Sequence, residues 1–444
     1  MKLSKHIYML GIGGIGMSAL AKYLLSRGYR VAGYDRNFSA ITGDLESLGA
    51  EITTSTLVED IPAQYRDPKR LTVVYTPAIS QSQSLFSFFK ESDFTLLKRS
   101  ELLELITRES ETWAVAGTHG KTTTSSILSH LAVELGASPS AFLGGIPLNY
   151  GTNYIAGESS VCIVEADEFD RSFHRLYPNS AIITSMEPDH LDIYGTVKEF
   201  EAAFYQFSRQ VSETLIYKEG LPFKGISYGL HEGDHHLENL RIEKGKYRFD
   251  WIGPGLKQEV HMSYPGLHNI ENALAAATLC FTKGYASKDI AAAIATFKGV
   301  KRRFECHYMS EKGIFIDDYA HHPGELKVLI ESLRSLFPER KLSLVFQPHL
   351  FSRTRDFMEE FASILSLCDS LWLMPIYPAR EEPIEGISSE ALLERVNCRE
   401  KRMVSALELP ELVQKMKPNL LVCAGAGDID RSIEPIKHIF ESCY

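Results

Sequence analysis

Short apolar runs recur along the chain, each ending in glycine or polar residues and each followed by a helical pattern. That alternation predicts parallel α/β domains. In the first segment, Ile7 to Leu10 reads as a strand and "GIGGIG" as a turn. A helix follows with Leu20, Leu24 and Leu25 on one side, and Arg27-Gly28 stops it. The second segment starts with the strand Trp113 to Ala116, then a helix from Thr122 with Ile127, Leu128, Leu131 and Leu135 on its apolar face. It continues through "VCIVEADE" and "SAIITSMEPDH". The third contains "GIFIDDYAHHP", "KLSLVFQPH", "SLWLMPIYP" and "NLLVCAGAG". Between the last two segments, "LRIEKGKYRFDWIGPGLKQEVHMSYPG" alternates with period two between Gly and Pro punctuation, which predicts hairpins. The helical "IENALAAATLCF" comes next. The expected boundaries fall near residues 107 and 300, dividing the chain into 1–107, 108–300 and 301–444.

At 444 residues, length alone calls for more than one core. A net charge of -10 argues against a nucleic-acid scaffold, which carries a basic face. It leaves room for a phosphorylated small ligand held by backbone donors and one or two cations. The seven cysteines are odd in number and include no C-x-x-C pair, the pattern of reduced thiols in a cytoplasm. The basic start and apolar run of the N-terminus resemble a signal peptide, but four glycines interrupt the run and no small-residue cleavage site follows. No stretch reaches about 18 uncharged apolar residues, so no membrane partner is expected.

The chemistry concentrates at strand ends. "GTHGKTT" (Gly117, Thr118, His119, Gly120, Lys121, Thr122, Thr123) lies between a buried strand and a helix. It departs from G-x-x-x-x-G-K-[ST], because Val115 stands where the first glycine belongs. A glycine turn there still aims backbone N–H groups and a helix N-terminus at one point, which makes an anion site. Lys121 would reach the outer phosphates and Thr122 would ligate magnesium. The alternative is a strand–helix turn with a solvated lysine. "VEADEFDRS" presents Glu165, Asp167, Glu168 and Asp170, and "SMEPDHLDIYG" presents Glu187, Asp189, His190 and Asp192. Ligands of open α/β sheets sit beyond the carboxyl ends of the strands, so these groups are placed to face phosphates and metal. Alone, either cluster also reads as a solvated loop. "GIGGIG" matches G-x-G-x-x-G at Gly11, Gly13 and Gly16, with Asp35 19 residues beyond the last glycine. A dinucleotide, another nucleotide diphosphate and a bare glycine turn all fit it.

Taken in order, "GTHGKTT", "VEADE", "EPDHLDIYG", "GLHNIENALAA", "KRRFE", "DDYAHHPGE" and "FQPHLFSRTRDF" resemble the Mur ligase family over nearly the whole chain. The resemblance implies three domains: a Rossmann-like N-terminal domain, a P-loop-type central ATPase domain with a mostly parallel sheet, and a Rossmann-like C-terminal domain. It implies a cytoplasmic ATP-dependent enzyme, monomer or homodimer, that joins L-alanine to the lactyl carboxylate of UDP-N-acetylmuramate through an acyl phosphate. The sugar nucleotide's diphosphate would lie on Gly11, Gly13, Gly14, Ile15 and Gly16, with Asp35 nearby. Thr122 and Glu165 would hold a first Mg2+ and His190 a second. His268, Asn272, Arg303 and Asp318 would attend the ATP. Tyr319, His321, His349 and Arg353 would surround the amino acid and the reacting carboxylate. For His321 and His322 the alternative is a helix-cap pair before Pro323.

The chain departs from the family at two places. Phe204 stands where several related ligases have a carbamylated lysine. Leu350 stands where many alanine-adding members have arginine. Three other readings remain open: a ligase that adds a preformed tripeptide to the same sugar nucleotide, an NAD-dependent dehydrogenase resting on "GIGGIG" and Asp35, and a nucleotide-switch binding protein without ligase activity.

Overall fold

The computed structural model describes residues 3–188, 191–243, 246–379 and 381–443. The chain forms two compact units: Met1–Arg241 with Tyr247–Ser263 and Asn269–Lys298, and Ile242–Lys246 with Tyr264–His268 and Gly299–Tyr444.

The first unit carries two largely parallel sheets. The N-terminal one has strands β1 (His6–Leu10), β2 (Arg30–Tyr34), β3 (Glu51–Thr53), β4 (Leu71–Tyr75) and β5 (Thr95–Lys98) in the order β3-β2-β1-β4-β5. All its pairings are parallel. The helix Ile15–Ser26 leaves the glycine turn after β1 and buries Leu20 and Leu24, with Leu25 half-buried. Its chain then reverses through Gly28 at φ +74°.

The second sheet uses β6 (Glu111–Ala116), β7 (Ser140–Phe142), β8 (Tyr154–Ile155), β9 (Val161–Ala166), β10 (Ser180–Ile183), β11 (Thr214–Lys218) and β12 (Ile226–Tyr228). Their order is β12-β11-β10-β6-β9-β7-β8, parallel except for β7 with β8. Strands covered on both faces read as unbroken apolar runs, which is why "WAVA" and "VCIV" show no alternation. The helix Lys121–Glu134 after β6 is buried nearly all round, hydroxyls included. Ser125 and Ser126 donate to the Thr122 carbonyl and Ser129 to that of Ser125, so these groups enter the core already satisfied.

Within this unit the two sheets are tied together by specific contacts. Tyr23 lies 5.4 Å from the Phe142 ring and 6.0 Å from Tyr154, and those two are 5.3 Å apart. Such aromatic pairs contribute about 0.5–1.5 kcal/mol each beyond burial. The Asn153 amide donates to the Ile15 carbonyl at 2.6 Å and to Ser18 Oγ at 2.8 Å.

The period-two segment forms a three-stranded sheet of β13 (His236–Glu243), β14 (Lys246–Gly253) and β15 (Leu256–Met262), with β14 and β15 antiparallel. Tyr247, Phe249 and Trp251 alternate inward, and Gly255 turns the hairpin at φ +68°.

The second unit contains β16 (Glu305–Met309), β17 (Ile314–Asp318), β18 (Leu342–Phe346), β19 (Ser370–Leu373), β20 (Glu400–Met403) and β21 (Leu420–Ala424), in the order β16-β17-β21-β18-β19-β20. Only β16 runs antiparallel to its neighbour. The four interior strands are the four apolar runs predicted from sequence. The edge strand β20, "EKRM", carries no apolar run because its residues are almost all exposed.

Candidate functional site

Gly117 follows the end of β6 at φ +137°, and a Cβ there would lie 2.1 Å from Thr184 Oγ1. Gly120, the N-cap of the Lys121–Glu134 helix, has φ +81°. Both conformations favour glycine. The loop is braced from β10's end: Ser185 Oγ accepts from the His119 N–H at 2.8 Å, Thr184 Oγ1 donates to the Ala116 carbonyl at 3.1 Å, and Thr118 Oγ1 donates to the Glu187 carbonyl at 2.7 Å. Asn272 stands behind Gly120, its Oδ1 accepting from Thr124 Oγ1 at 3.1 Å. The first-turn N–H groups of this helix therefore point out of a fixed turn, as an anion site requires.

Two side-chain pairs occupy the loop's mouth. Thr122 Oγ1 donates to Glu165, 2.9 and 3.1 Å from its two oxygens, and the Gly144 N–H also donates to Glu165 at 3.0 Å. Lys121 Nζ lies 2.8 and 2.7 Å from the two oxygens of Glu168. Burial opposes the Lys121 charge, but Glu168, Asp167 and Glu165 outweigh it and hold the ammonium above its ordinary pKa. Thr123 is buried behind the loop. His190 and Asp189 lie outside the described residues. Phe204 is fully buried against Phe173 and Phe200, a hydrophobic contact rather than a polar position.

At the "GIGGIG" turn, Gly11 has φ +81° and the Gly13 N–H donates to Asp35 Oδ2 at 2.8 Å. Asp35 thus buttresses the turn directly, and Gly13's donor is already engaged. Gly14 caps the helix that begins at Ile15. A Cβ on Gly16 would come within 2.7 Å of the Arg99 guanidinium, which pairs with Asp167 at 3.6 Å. Arg99 and Asp167, with Ser100, Leu103, Glu165 and Ser172, line one small cleft. The sequence reading missed Arg99, because an arginine opening a helix carries no motif.

In the second unit, Asp318 at the end of β17 accepts from the Phe304 N–H at 2.6 Å and the Ala320 N–H at 2.7 Å. Burial lifts its carboxyl to about 6, against the pull of Arg303. The Arg303 guanidinium lies over the Tyr319 ring at 5.0 Å. Burial, aided by the Arg303 charge, lowers the His268 imidazole to about 4. His321 stands 5.4 Å from the Tyr319 ring and 5.7 Å from His349, which stacks on Tyr377. Burial, the neighbouring His321 and Arg353 push His349 down to about 4. The structure thus gathers the Tyr319 ring and two imidazoles, His321 and His349, that burial and the nearby Arg353 charge keep uncharged at neutral pH. His322 takes the capping position: its side chain accepts from Gly324, Pro323 opens the helix, and Glu325 completes the box. The helix-cap alternative thus holds for His322, while His321 faces His349. Leu350 adopts φ 72°, a conformation rare for a side chain of its size.

Fold and loop together define a P-loop-type α/β protein with Rossmann-like sheets. Residues 6–111, 115–280 and 302–427 match the Mur ligase family models described as the catalytic domain, the middle domain and the glutamate ligase domain. The UDP-N-acetylmuramate–L-alanine ligase of Christiangramia forsetii is 45% identical over 98% of this chain and 97% of its own. Among solved structures, the UDP-N-acetylmuramate–alanine ligase of Thermotoga maritima is similar with a TM-score of 0.85 and 28% identity, covering 99% of this chain and 100% of that one. A murein peptide ligase from Psychrobacter arcticus shares the fold with a TM-score of 0.70 at 21% identity, covering 99% of each chain. The chain belongs to the Mur ligase family.

Proposed function

We propose that this chain is an ATP-dependent ligase joining L-alanine to the lactyl carboxylate of UDP-N-acetylmuramate, a step of peptidoglycan precursor synthesis. Full-length similarity to alanine ligases supports the substrates. The observation that carries the chemistry is the head of the Lys121–Glu134 helix, where an ammonium, a hydroxyl and a carboxylate meet on a glycine loop. Activating a carboxylate as an acyl phosphate needs in-line positioning and charge neutralisation more than a protein nucleophile. The lactyl carboxylate attacks the γ-phosphate, and the amine of L-alanine then displaces phosphate.

The loop Gly117 to Thr123 would cradle the ATP phosphates, with His268, Asn272, Arg303 and Asp318 as further nucleotide contacts. The Thr122 hydroxyl and Glu165 carboxylate are hard oxygen donors within hydrogen-bond reach of each other, which fits Mg2+. Magnesium would neutralise charge on the outer phosphates, and His190 is assigned to a second ion. Gly11, Gly13, Gly14, Ile15, Gly16 and Asp35 are assigned to the sugar nucleotide. The Tyr319, His321, His349 and Arg353 group is assigned to the amino acid, where Arg353 suits a carboxylate. The domain limits 1–107, 108–300 and 301–444 accompany this assignment, with the enzyme cytoplasmic and a monomer or homodimer. Among the described residues no helix is long and apolar enough to cross a membrane.

The test is phosphate release with ATP, magnesium and UDP-N-acetylmuramate against a panel of amino acids and the tripeptide. Release should require both the sugar nucleotide and L-alanine. Preference for the tripeptide would establish the other ligase activity instead. A change in NADH absorbance with none of these would revive the dehydrogenase.

A further inference from the structure

Lys121 has three N–H donors, and three acceptors stand within 2.8 Å of its Nζ: the Gly117 carbonyl and both oxygens of Glu168. In this arrangement no donor is left for a phosphate. The two partners differ in how deeply they are held. Glu168 is 1% exposed, occupies the position before the short helical turn Phe169–Arg175, and has its own carbonyl held by the Tyr194 hydroxyl at 2.6 Å. Lys121 sits on a four-carbon stem at the edge of the loop's mouth. If the pair opens, the lysine is the partner that swings.

We infer that Glu168 is a positioning residue that competes with the outer phosphates of the nucleotide for the Lys121 ammonium, so that ATP must displace it. The inference rests on reading the loop as an ATP site. Opening the pair leaves a buried carboxylate without its cation, a cost that only a ligand with enough negative charge at the loop can offset. ATP can do so, while AMP, lacking outer phosphates, cannot. Glu168 thereby lowers affinity for the triphosphate and parks Lys121 beside the position where it works. Glu165 differs in its partner: its oxygens face the Thr122 hydroxyl.

The test is calorimetric titration of the full chain with ATP and with AMP, for wild type, Glu168→Gln and Glu168→Asp. Glutamine keeps the shape but removes the carboxylate charge, leaving an ammonium–amide hydrogen bond in place of an ion pair, and aspartate is one methylene too short to grip Nζ from the same backbone. ATP should bind about tenfold tighter to either folded variant, the scale of weakening one doubly charged hydrogen bond. AMP affinity should stay unchanged, and KM for ATP should fall while KM for L-alanine does not. A purely structural role would weaken ATP and AMP alike. Equal or weaker ATP binding by a folded variant overturns the inference while leaving the ATP reading intact. Failure of the wild-type chain to bind ATP overturns both.

Discussion

Thr122 Oγ1 lies 2.9 and 3.1 Å from the two carboxylate oxygens of Glu165, across 43 residues of sequence. One residue is the second of a helix and the other sits near the end of a neighbouring strand. Parallel pairing of β6 with β9 sets Val115 beside Glu165, and that register brings the two groups together. Glu165→Gln is therefore expected to raise the magnesium concentration required for phosphate release, since an anionic oxygen is lost from the proposed hard-cation site. Thr122→Val should act in the same direction. Magnesium titrations that coincide with the parent's would remove both residues from the ligand set.

Removing Lys121 should affect stability as well as rate. Glu168 is almost wholly buried against it, so Lys121→Met strands a carboxylate. The expected cost is about 3–5 kcal/mol of stability, alongside a loss of about 10²–10³ in turnover. Combining Lys121→Met with Glu168→Gln should restore most of the stability and none of the activity. Thermal unfolding followed beside phosphate release separates the two effects. A single variant that melts with the wild type would contradict the buried pairing.

Glycines at positive φ differ sharply in what surrounds them. A Cβ on Gly117 would overlap Thr184 Oγ1, whereas one on Gly151 (φ +65°) meets nothing within 4 Å. Gly151→Ala should cost only the left-handed conformation, about 1–2 kcal/mol. Gly117→Ala should cost clearly more and should also abolish ATP binding, because the loop must move to admit the methyl group. Melting temperatures and nucleotide titration on both variants check the ranking.

The C-terminal histidines should make the enzyme acid-sensitive. His349 has a folded pKa of about 4, whereas an unfolded histidine titrates near 6.5. Between those values the unfolded chain takes up a proton that the folded chain refuses. Stability is therefore intact above about pH 6.5 and falls as pH drops toward 4. Because His349 is only partly buried, the loss is of order 2 kcal/mol after allowance for solvent screening. His349→Phe keeps the stack on Tyr377 and should flatten this part of the pH–stability curve. Parallel curves for variant and parent would rule out a neutral His349.

Substrate selection should depend on Tyr319 and His321, whose rings are 5.4 Å apart. Replacing either with alanine should raise KM for L-alanine far more than KM for ATP. One methylene is worth about 1–3 kcal/mol in discrimination, so glycine should react poorly but measurably with the parent enzyme. Steady-state kinetics with each substrate varied in turn provides the check. Unchanged L-alanine dependence in both variants would refute the placement of the amino acid.

Much of this protein is written in local pattern. Apolar runs marked β1, β6, β9, β10 and the four interior strands of the second unit, because a strand covered on both faces must be apolar throughout; β4, β7 and β11 were not read from the sequence. Period-two alternation marked the β14–β15 hairpin for the opposite reason: one face of that sheet is wet. The turn chemistry of "GTHGKTT" and "GIGGIG" was legible because only glycine tolerates the backbone those turns adopt. The exposed edge strand β20 was not legible, since an edge can be polar and still pair.

What tertiary structure alone decided is which charged group meets which. By sequence, Glu165, Asp167 and Glu168 were one acidic run. In the fold, Glu165 faces Thr122, Asp167 faces Arg99, and Glu168 grips Lys121. Likewise His321 and His322 are neighbours with separate fates, one facing His349 and the other capping a helix. Sequence determines residue type and local conformation through short-range sterics and periodicity. The pairing of side chains dozens of residues apart depends on strand register and sheet order, which no single stretch of chain encodes by itself.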